Sequence, residues 1–409
     1  MSNLEDIKFR NSAIWVNYSH KRYLPVSDIK YRLQLTEEKW IEVKKKIEWT
    51  RFSNAILFDI NSMDKLFWYF ESDSIRRKLD EVEKIGTQIY DQISTARAMK
   101  KDLIADTYME EAITSAIYEG ANTTRARAQE FIEQRHSPRD KAEQMLFNNF
   151  TAMKWIRDHQ DEEISLNLIL KLHEIVTFKT LDDHNLGYSG KFRDDTVYVG
   201  SHEGIPHHQI EKALAEVIQL TSNNERYLHP LIRGMILHYF IGYIHPFFDG
   251  NGRTARALFY HKALKNKLHY MELLSISAYL KIHGKRYERA YELAKEYPGD
   301  MTYFIDFSLD SLLAAIKEVQ TKVLFLTAIW SLQQKYDLSD NQIMLLQRLA
   351  LHKFRIVLIE DYARWIKKTH EMARKELKEL AALGLLDETK VGKKSRFMIN
   401  KKKLEEFLN

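Results

Sequence analysis

"HPFFDGNGRTAR", His245 to Arg256, is the stretch on which this chain turns. Upstream, "LIRGMILHYFIGYI" is apolar at helical spacing, as a buried helix would be. Downstream, "ARALFYHKALKNKL" reads as helix again. The interruption is not a simple turn. Gly250-Asn251-Gly252 permits positive φ and close backbone approach. Set just before a helix start, its N–H groups would converge on one spot, an anion site helped by the helix N-terminus. Arg253 and Arg256 fall on one face of the first turn and add two guanidiniums suited to phosphate oxygens. A carboxylate beside phosphates, here Asp249, usually holds Mg²⁺. His245 ends the upstream helix, fixed by Pro246, and a histidine near phosphorus can take a proton from an attacking hydroxyl. Phe247 and Phe248 would anchor the loop, at least one of them packing inward. Base, metal carboxylate, anion nest and arginine pair together fit transfer of a phosphate-containing group, with catalysis by positioning and electrostatics.

Bulk properties narrow the setting. The chain has 409 residues, a formal net charge of +5, 14 Gly and 6 Pro. That composition, rich in Leu, Lys and Glu, predicts a mainly α protein, and the small charge does not by itself argue for nucleic acid. There is no cysteine, which excludes a disulfide framework, thiolate zinc sites and a cysteine nucleophile. The N-terminus has early acids and no apolar core of a signal peptide, and no run approaches the length of a membrane span. A cytoplasmic protein without membrane contact is the expectation. No G-x-x-x-x-G-K-[ST] loop occurs. "HEIVT" at His173 lacks the second histidine of a zincin helix, and His202, His207 and His208 have no acids at ligand spacing.

Three regions are expected: 1–84, an N-terminal helical extension with "TEEKWIEVKKKIEW" and "FWYFESDSIRRKLDEVEKI" amphipathic; 85–315, a long helical core; and 320–409, a terminal module. The core is broken once, by "LGYSGKFRDDTVYVGSHEGIPHH", in which "TVYVG" alternates like one arm of a short hairpin. A lone hairpin in a helical core needs a reason, since two strands alone are marginal in water.

"HPFFDGNGRTAR" resembles the signature of the Fic (filamentation induced by cyclic AMP) family: His, any residue, Phe, any residue, Asp or Glu, Gly-Asn-Gly-Arg, two residues, Arg. All fixed positions match, and the resemblance covers about residues 85–310. It implies a helical fold and transfer of AMP from ATP, with Mg²⁺, to a Ser, Thr or Tyr hydroxyl of a target protein. In that reading His245 is the catalytic base and Asp249 the metal ligand. Gly250, Asn251, Gly252, Arg253, Thr254, Ala255 and Arg256 bind the nucleotide, Arg256 on the γ-phosphate. "FRDDTVYVGSHEG" resembles the family's flap, so Thr196, Val197, Tyr198 and Val199 would pair with an extended target segment. "SAYLKIHGKRYERAYELA" resembles the helix carrying an adenine-contacting aromatic, with Tyr287 as the match and His283 where the family often has Asn. "TSAIYEGANTT" resembles the inhibitory motif: Ser115 and Glu119 share a helical face, and Glu119 would pair with Arg256. The same residues would serve the reverse reaction, removal of AMP, with Glu119 positioning water. Other family members transfer UMP, phosphate or phosphocholine.

The terminal module has three short helical patterns, "SDNQIMLLQRLALH", "IEDYARWIKK" and "HEMARKELKELAALG". "LLDETKVGKKSRFMIN" then supplies two strands around a basic turn. This is a winged-helix pattern, and several family members resemble the layout. Residues 352–409 carry roughly +6, which suits phosphate contacts and raises a rival function, a DNA-binding regulator. The plain alternative is a module for packing or for a homodimer.

Overall fold

The computed structural model describes residues 9–10, 12–124, 127–128, 131, 137–200, 202–223, 227–351, 356–391 and 394–406. The chain is mainly helical, as its composition requires. In order it forms α1 (Val26–Leu33), α2 (Glu37–Ser53), β1 (Ile56–Ile60), β2 (Lys65–Tyr69), α3 (Asp73–Ser94) and α4 (Arg97–Tyr118). Then come α5 (Lys141–Asp158), α6 (Leu166–Thr177), β3 (Tyr198–Val199), β4 (His202–Glu203), α7 (Ile210–Ser222), α8 (Pro230–Ile244), α9 (Asn251–Lys265) and α10 (Ile276–Glu296). The last part is α11 (Thr302–Lys335), α12 (Asp340–Ala350), β5 (Val357–Leu358), α13 (Ile359–Ile366), α14 (His370–Ala382), β6 (Leu386–Val391), β7 (Lys394–Ile399) and α15 (Lys401–Glu405). Two compact units result. One comprises residues 1–87 and 107–315, the other 88–106 and 316–409. Among the described residues no helix is long and apolar enough to cross a membrane.

In the first unit α8 and α9 pack against each other at the centre. α8 is mostly apolar with no polar face, and it is buried from Leu231 to Ile241, Arg233 and His238 included, which marks a helix enclosed on every side. α9 is equally buried, yet it carries Arg253, Arg256, His261 and Lys262 into the interior. Buried cations need partners, so this helix organises what surrounds it.

The N-terminal residues are tied into this unit by Arg51, which is 1% exposed. Its guanidinium donates to the carbonyls of Tyr18 (2.5 Å) and Leu24 (2.9 Å), to Ser19 Oγ (3.1 Å) and to the Tyr303 hydroxyl (3.3 Å). It also lies 4.0 Å over the Tyr23 ring, whose hydroxyl donates to Asp300 at 2.6 Å. Burial pushes the Asp300 carboxyl up to about 6. Arg51→Leu should destabilise this unit by about 3 kcal/mol or more, since it strands several oxygens and removes the charge near a buried carboxylate. Asp300 binds its proton more tightly folded than unfolded, so the penalty on its ionised form is full above pH 6 and fades as pH falls below it. The urea midpoint of Arg51→Leu should therefore lie closer to that of the parent at pH 5 than at pH 8.

The pattern "FWYFESDSIRRKLDEVEKI" is not helical throughout. Its first residues belong to β2, which pairs antiparallel with β1 from Ile56↔Tyr69 to Ile60↔Lys65. The Trp68 amide donates to the Gly299 carbonyl at 2.8 Å and the Met301 amide to Trp68 at 2.9 Å, so a tertiary partner draws this aromatic run into a strand. Gly299 has φ +78°, and a Cβ there would collide with the Leu66 carbonyl.

In the second unit, α12, α13 and α14 accompany a sheet of order β5-β7-β6, all antiparallel, whose first strand lies between α12 and α13 in the chain. The sequence suggested two strands; the third, Val357–Leu358, is too short to carry a pattern and is specified by its pairing with Phe397 and Arg396. Ser339 and Gln342 form a reciprocal capping box at the start of α12, and Thr369 caps α14. Lys393, in the expected wing, lies outside the described residues.

Candidate active site

The His245–Arg256 stretch joins α8 to α9 by two left-handed residues, His245 (φ 52°) ending one helix and Gly250 (φ 83°) capping the next. A Cβ on Gly250 would also come within 2.5 Å of Thr177 Cγ2, so glycine is required by both conformation and space. The loop between is fixed internally. Asn251 Oδ1 accepts from the Phe247 amide (3.0 Å) and its Nδ2 donates to the Phe247 carbonyl (2.8 Å). Phe247 is the phenylalanine that points inward, fully buried, with Phe192 stacked at 5.6 Å.

His245 lines a pocket of about 510 Å³. Its Nδ1 faces the Gly242 carbonyl at 3.3 Å, and a carbonyl can only accept, so the proton sits on Nδ1 and Nε2 keeps its lone pair. Burial lowers its pKa to about 4. The imidazole is therefore neutral near pH 7, as a base must be.

Arg256 is 2% exposed. It donates to Ser115 Oγ from Nε (3.2 Å) and Nη2 (2.8 Å), and Nη2 pairs with Glu119 Oε1 at 2.7 Å. Its Nη1 is buried without a partner among the described residues, which leaves one face of the fork for a ligand. Glu119 Oε1 occupies the space above Gly252, where a Cβ would strike it. Glu119 thus sits over the first turn of α9. Tyr287 lines the same pocket, its hydroxyl 3.1 Å from His238 Nε2 and its ring edge-on to Tyr118 (6.1 Å) and Tyr291 (5.3 Å). Burial lowers His238 to about 3, so it too is neutral beside Arg256. α10 has a non-helical residue at His283 (φ −118°), one turn before Tyr287.

The pocket brings together Glu119, Val199, His245, Asn251, Gly252, Arg256 and Tyr287 of the residues singled out in the sequence. Others stand behind it. Arg253 donates to the Val176 carbonyl (2.7 Å), Thr180 Oγ1 (3.3 Å) and Asp249 Oδ1 (3.2 Å), so its guanidinium braces the loop from within rather than facing the cavity. Thr254 and Ala255 are fully buried and are not among the lining residues; on this helix only the first-turn backbone and Arg256 face the nest side. Ser115 reaches the site through Arg256.

Asp249 Oδ1 accepts from the Gly250 amide at 2.5 Å and from Arg253, while the side chain stays 46% exposed. Among the described residues no cluster of three or more acids, histidines or cysteines could hold a metal. One half-exposed carboxylate beside an anion nest suits Mg²⁺, which takes few protein ligands and completes its shell with water and phosphate.

β3 and β4 form the expected hairpin, with Tyr198↔Glu203 and Val199↔His202 paired and Gly204 N–H donating to Val197 at 2.9 Å. Thr196, Tyr198 and Val199 are exposed and Val197 is half-buried. His202, which the sequence set aside as a metal ligand, sits in the return strand and holds it to α8 through Nε2 and the Tyr243 carbonyl (2.6 Å). Arg193 is a second tie that went unnoticed. It is 2% exposed and donates to the carbonyls of His245 (2.8 Å), Asp195 (2.5 Å) and Ile205 (2.5 Å), clamping the hairpin base to the histidine. No local pattern marks it, because its partners are carbonyls brought close only by folding. Tyr291 could have been found, being one helical turn from Tyr287.

Residues 163–262 match the model of the Fic/DOC family. Among curated proteins the chain is similar to the protein adenylyltransferase Fic of Drosophila virilis, 32% identical over 190 residues, covering 44% of this chain and 37% of that one. The protein adenylyltransferase Fic of Nematostella vectensis is 26% identical over 202 residues, covering 45% and 46%. The chain thus spans less than half the length of these relatives. A Fic family protein from Desulfovibrio desulfuricans G20 shares the fold, with a TM-score of 0.54 at 18% identity over 81% of this chain and 97% of that one.

Proposed function

We propose, from a chain whose core is a Fic domain, that this protein transfers AMP from ATP to a Ser, Thr or Tyr hydroxyl of a target protein, and that Glu119 restrains it. One observation carries the reading: a neutral His245 whose Nε2 is unengaged among the described residues, the α9 start at Asn251 and Gly252, and Arg256 line one pocket together with Val199 of the exposed hairpin. A target segment adding to β3 would set its hydroxyl near His245. Nε2 takes the hydroxyl proton as the oxygen bonds to the α-phosphorus. The bond to the β-phosphate oxygen breaks and pyrophosphate leaves. The N–H groups at the start of α9 and the Arg256 guanidinium hold the phosphates, and the aromatic end at Tyr287 takes the base. Asp249 would hold Mg²⁺, whose charge offsets that of the phosphates.

Labelled ATP tests this directly. Label at the α-phosphate should appear on protein and label at the γ-phosphate should not. Transfer of the γ-label would make the protein a kinase instead. Because His245 must be neutral and its pKa is lowered to about 4, kcat/KM should stay level down to about pH 5 rather than falling below 6.5. Glu119, which lines the same pocket, also favours a second reading, removal of AMP with this carboxylate orienting water.

For residues 320–409 we read a winged helix. The exposed side of α14 carries Arg374, Lys375 and Lys378, which supports contact with DNA phosphates. Ion pairs of Lys378 with Glu388 (2.5 Å) and Lys394 with Glu360 (3.4 Å) compete with that use. If the module binds DNA, affinity of the full chain for a duplex should fall steeply between 50 and 200 mM salt, by on the order of tenfold or more. No duplex binding at low salt would leave a packing or dimerisation module.

A further inference from the structure

We propose that His173 is a positioning residue whose two ring nitrogens set, at once, the loop bearing Asp249 and the arm that leads into the hairpin. The inference rests on the adenylyl-transfer reading only for what the two arms serve.

His173 lies on α6, 1% exposed. Its ring is stacked on Phe247 with centroids 3.6 Å apart and planes 2° from parallel. Nε2 is 3.0 Å from the Asp249 carbonyl, and the Gly190 amide donates to Nδ1 at 3.0 Å. A carbonyl cannot donate and an amide N–H cannot accept, so the ring must be the neutral Nε2–H tautomer, one donor and one acceptor. Behind it, Thr177 Oγ1 donates to the His173 carbonyl (2.6 Å) and meets Ser189 Oγ at 3.1 Å, so the helix turn and the Gly190 arm are held as one piece. Three residues beyond Gly190, Arg193 ties the same arm to the His245 carbonyl. On its other side His173 packs against Gly250, 3.3 Å from where a Cβ would sit.

The imidazole therefore bridges the two halves of the site. Its Nε2–H fixes the Asp249 backbone, and with it the direction of the carboxylate and the first N–H of the nest. Its Nδ1 fixes Gly190 (φ +71°), where the chain turns toward the hairpin. Phenylalanine would keep the stacking and lose both bonds. Asparagine can present an acceptor near Nδ1, and glutamine a donor near Nε2, so each keeps one arm.

The test uses the full chain and three readouts: ATP affinity by calorimetry as a function of Mg²⁺ concentration, hydrogen exchange of residues 190–199, and α-label transfer. His173→Asn should raise the Mg²⁺ requirement of ATP binding by about tenfold and leave exchange of the 190–199 amides near that of the parent. His173→Gln should do the reverse, speeding exchange of the arm at an unchanged Mg²⁺ requirement. His173→Phe should do both, and transfer should fall in all three. If all three only lower the melting temperature, with Mg²⁺ dependence and exchange as in the parent, the histidine merely packs and the proposal is wrong. Should the variants fail to fold, nitrogen chemical shifts of the parent decide: protonated Nε2 with bare Nδ1 is expected, and the opposite tautomer or a charged ring overturns it. Absence of α-label transfer by the parent would sink the functional reading alone, since binding and exchange still judge His173.

Discussion

His245→Ala is expected to cut transfer of α-label by about 10²- to 10⁴-fold while ATP still binds with near-parental affinity. The reason is the division of labour in the pocket. His245 lines the cavity, and among the described residues its Nε2 has no hydrogen bond, while the nest is built from α9 backbone and Arg256. The substitution removes a ring that is mostly buried, so the fold must be checked by the melting transition. The left-handed conformation at His245 (φ 52°) is one that alanine adopts with some strain, and His245→Asn tolerates it better. Asparagine cannot serve as the base, so both variants should be inactive. Transfer at a near-parental rate in His245→Asn would remove the histidine from the mechanism.

The second large effect belongs to Glu119→Gly, which should raise transfer by at least about tenfold, a barrier change of about 1.4 kcal/mol. Glu119 Oε1 lies 2.7 Å from Arg256 Nη2 and directly over Gly252. A γ-phosphate and this carboxylate cannot share the same face of the guanidinium. Without the side chain, Arg256 keeps Ser115 Oγ on its Nε edge and turns its remaining N–H groups to the triphosphate. Removal of AMP, where it occurs, should be lost in the same variant, since no carboxylate would remain to orient water. Glu119→Asp is one methylene shorter and should fall between parent and glycine variant if reach is what matters. Unchanged transfer in a correctly folded Glu119→Gly protein would make the glutamate a bystander.

Much of this site was legible in the sequence because its parts are local. His245, Asp249, Gly250 and Arg256 lie within twelve consecutive residues, and the backbone that joins a buried helix to a glycine-started one leaves little freedom in where they point. The apolar run of α8 likewise needed no context, since a helix without a polar face has to be enclosed. The Ser115-to-Glu119 pattern put both side chains on one face, and that spacing is a property of any helix.

Tertiary structure alone decided the rest. Phe67 to Tyr69 became strand because β1 and the Gly299–Met301 backbone offered partners; aromatic residues favour strands, but which pattern wins in so short a run depends on its neighbours. Arg253, chosen in the sequence for phosphate, turned instead to the Val176 carbonyl, because a guanidinium at the buried face of α9 takes the acceptors it finds there. His173 offered only a lone histidine on an apolar helix. Its role depends on Asp249 and Gly190, 76 and 17 residues away, and two hydrogen bonds of opposite sense at that distance leave no trace in local spacing.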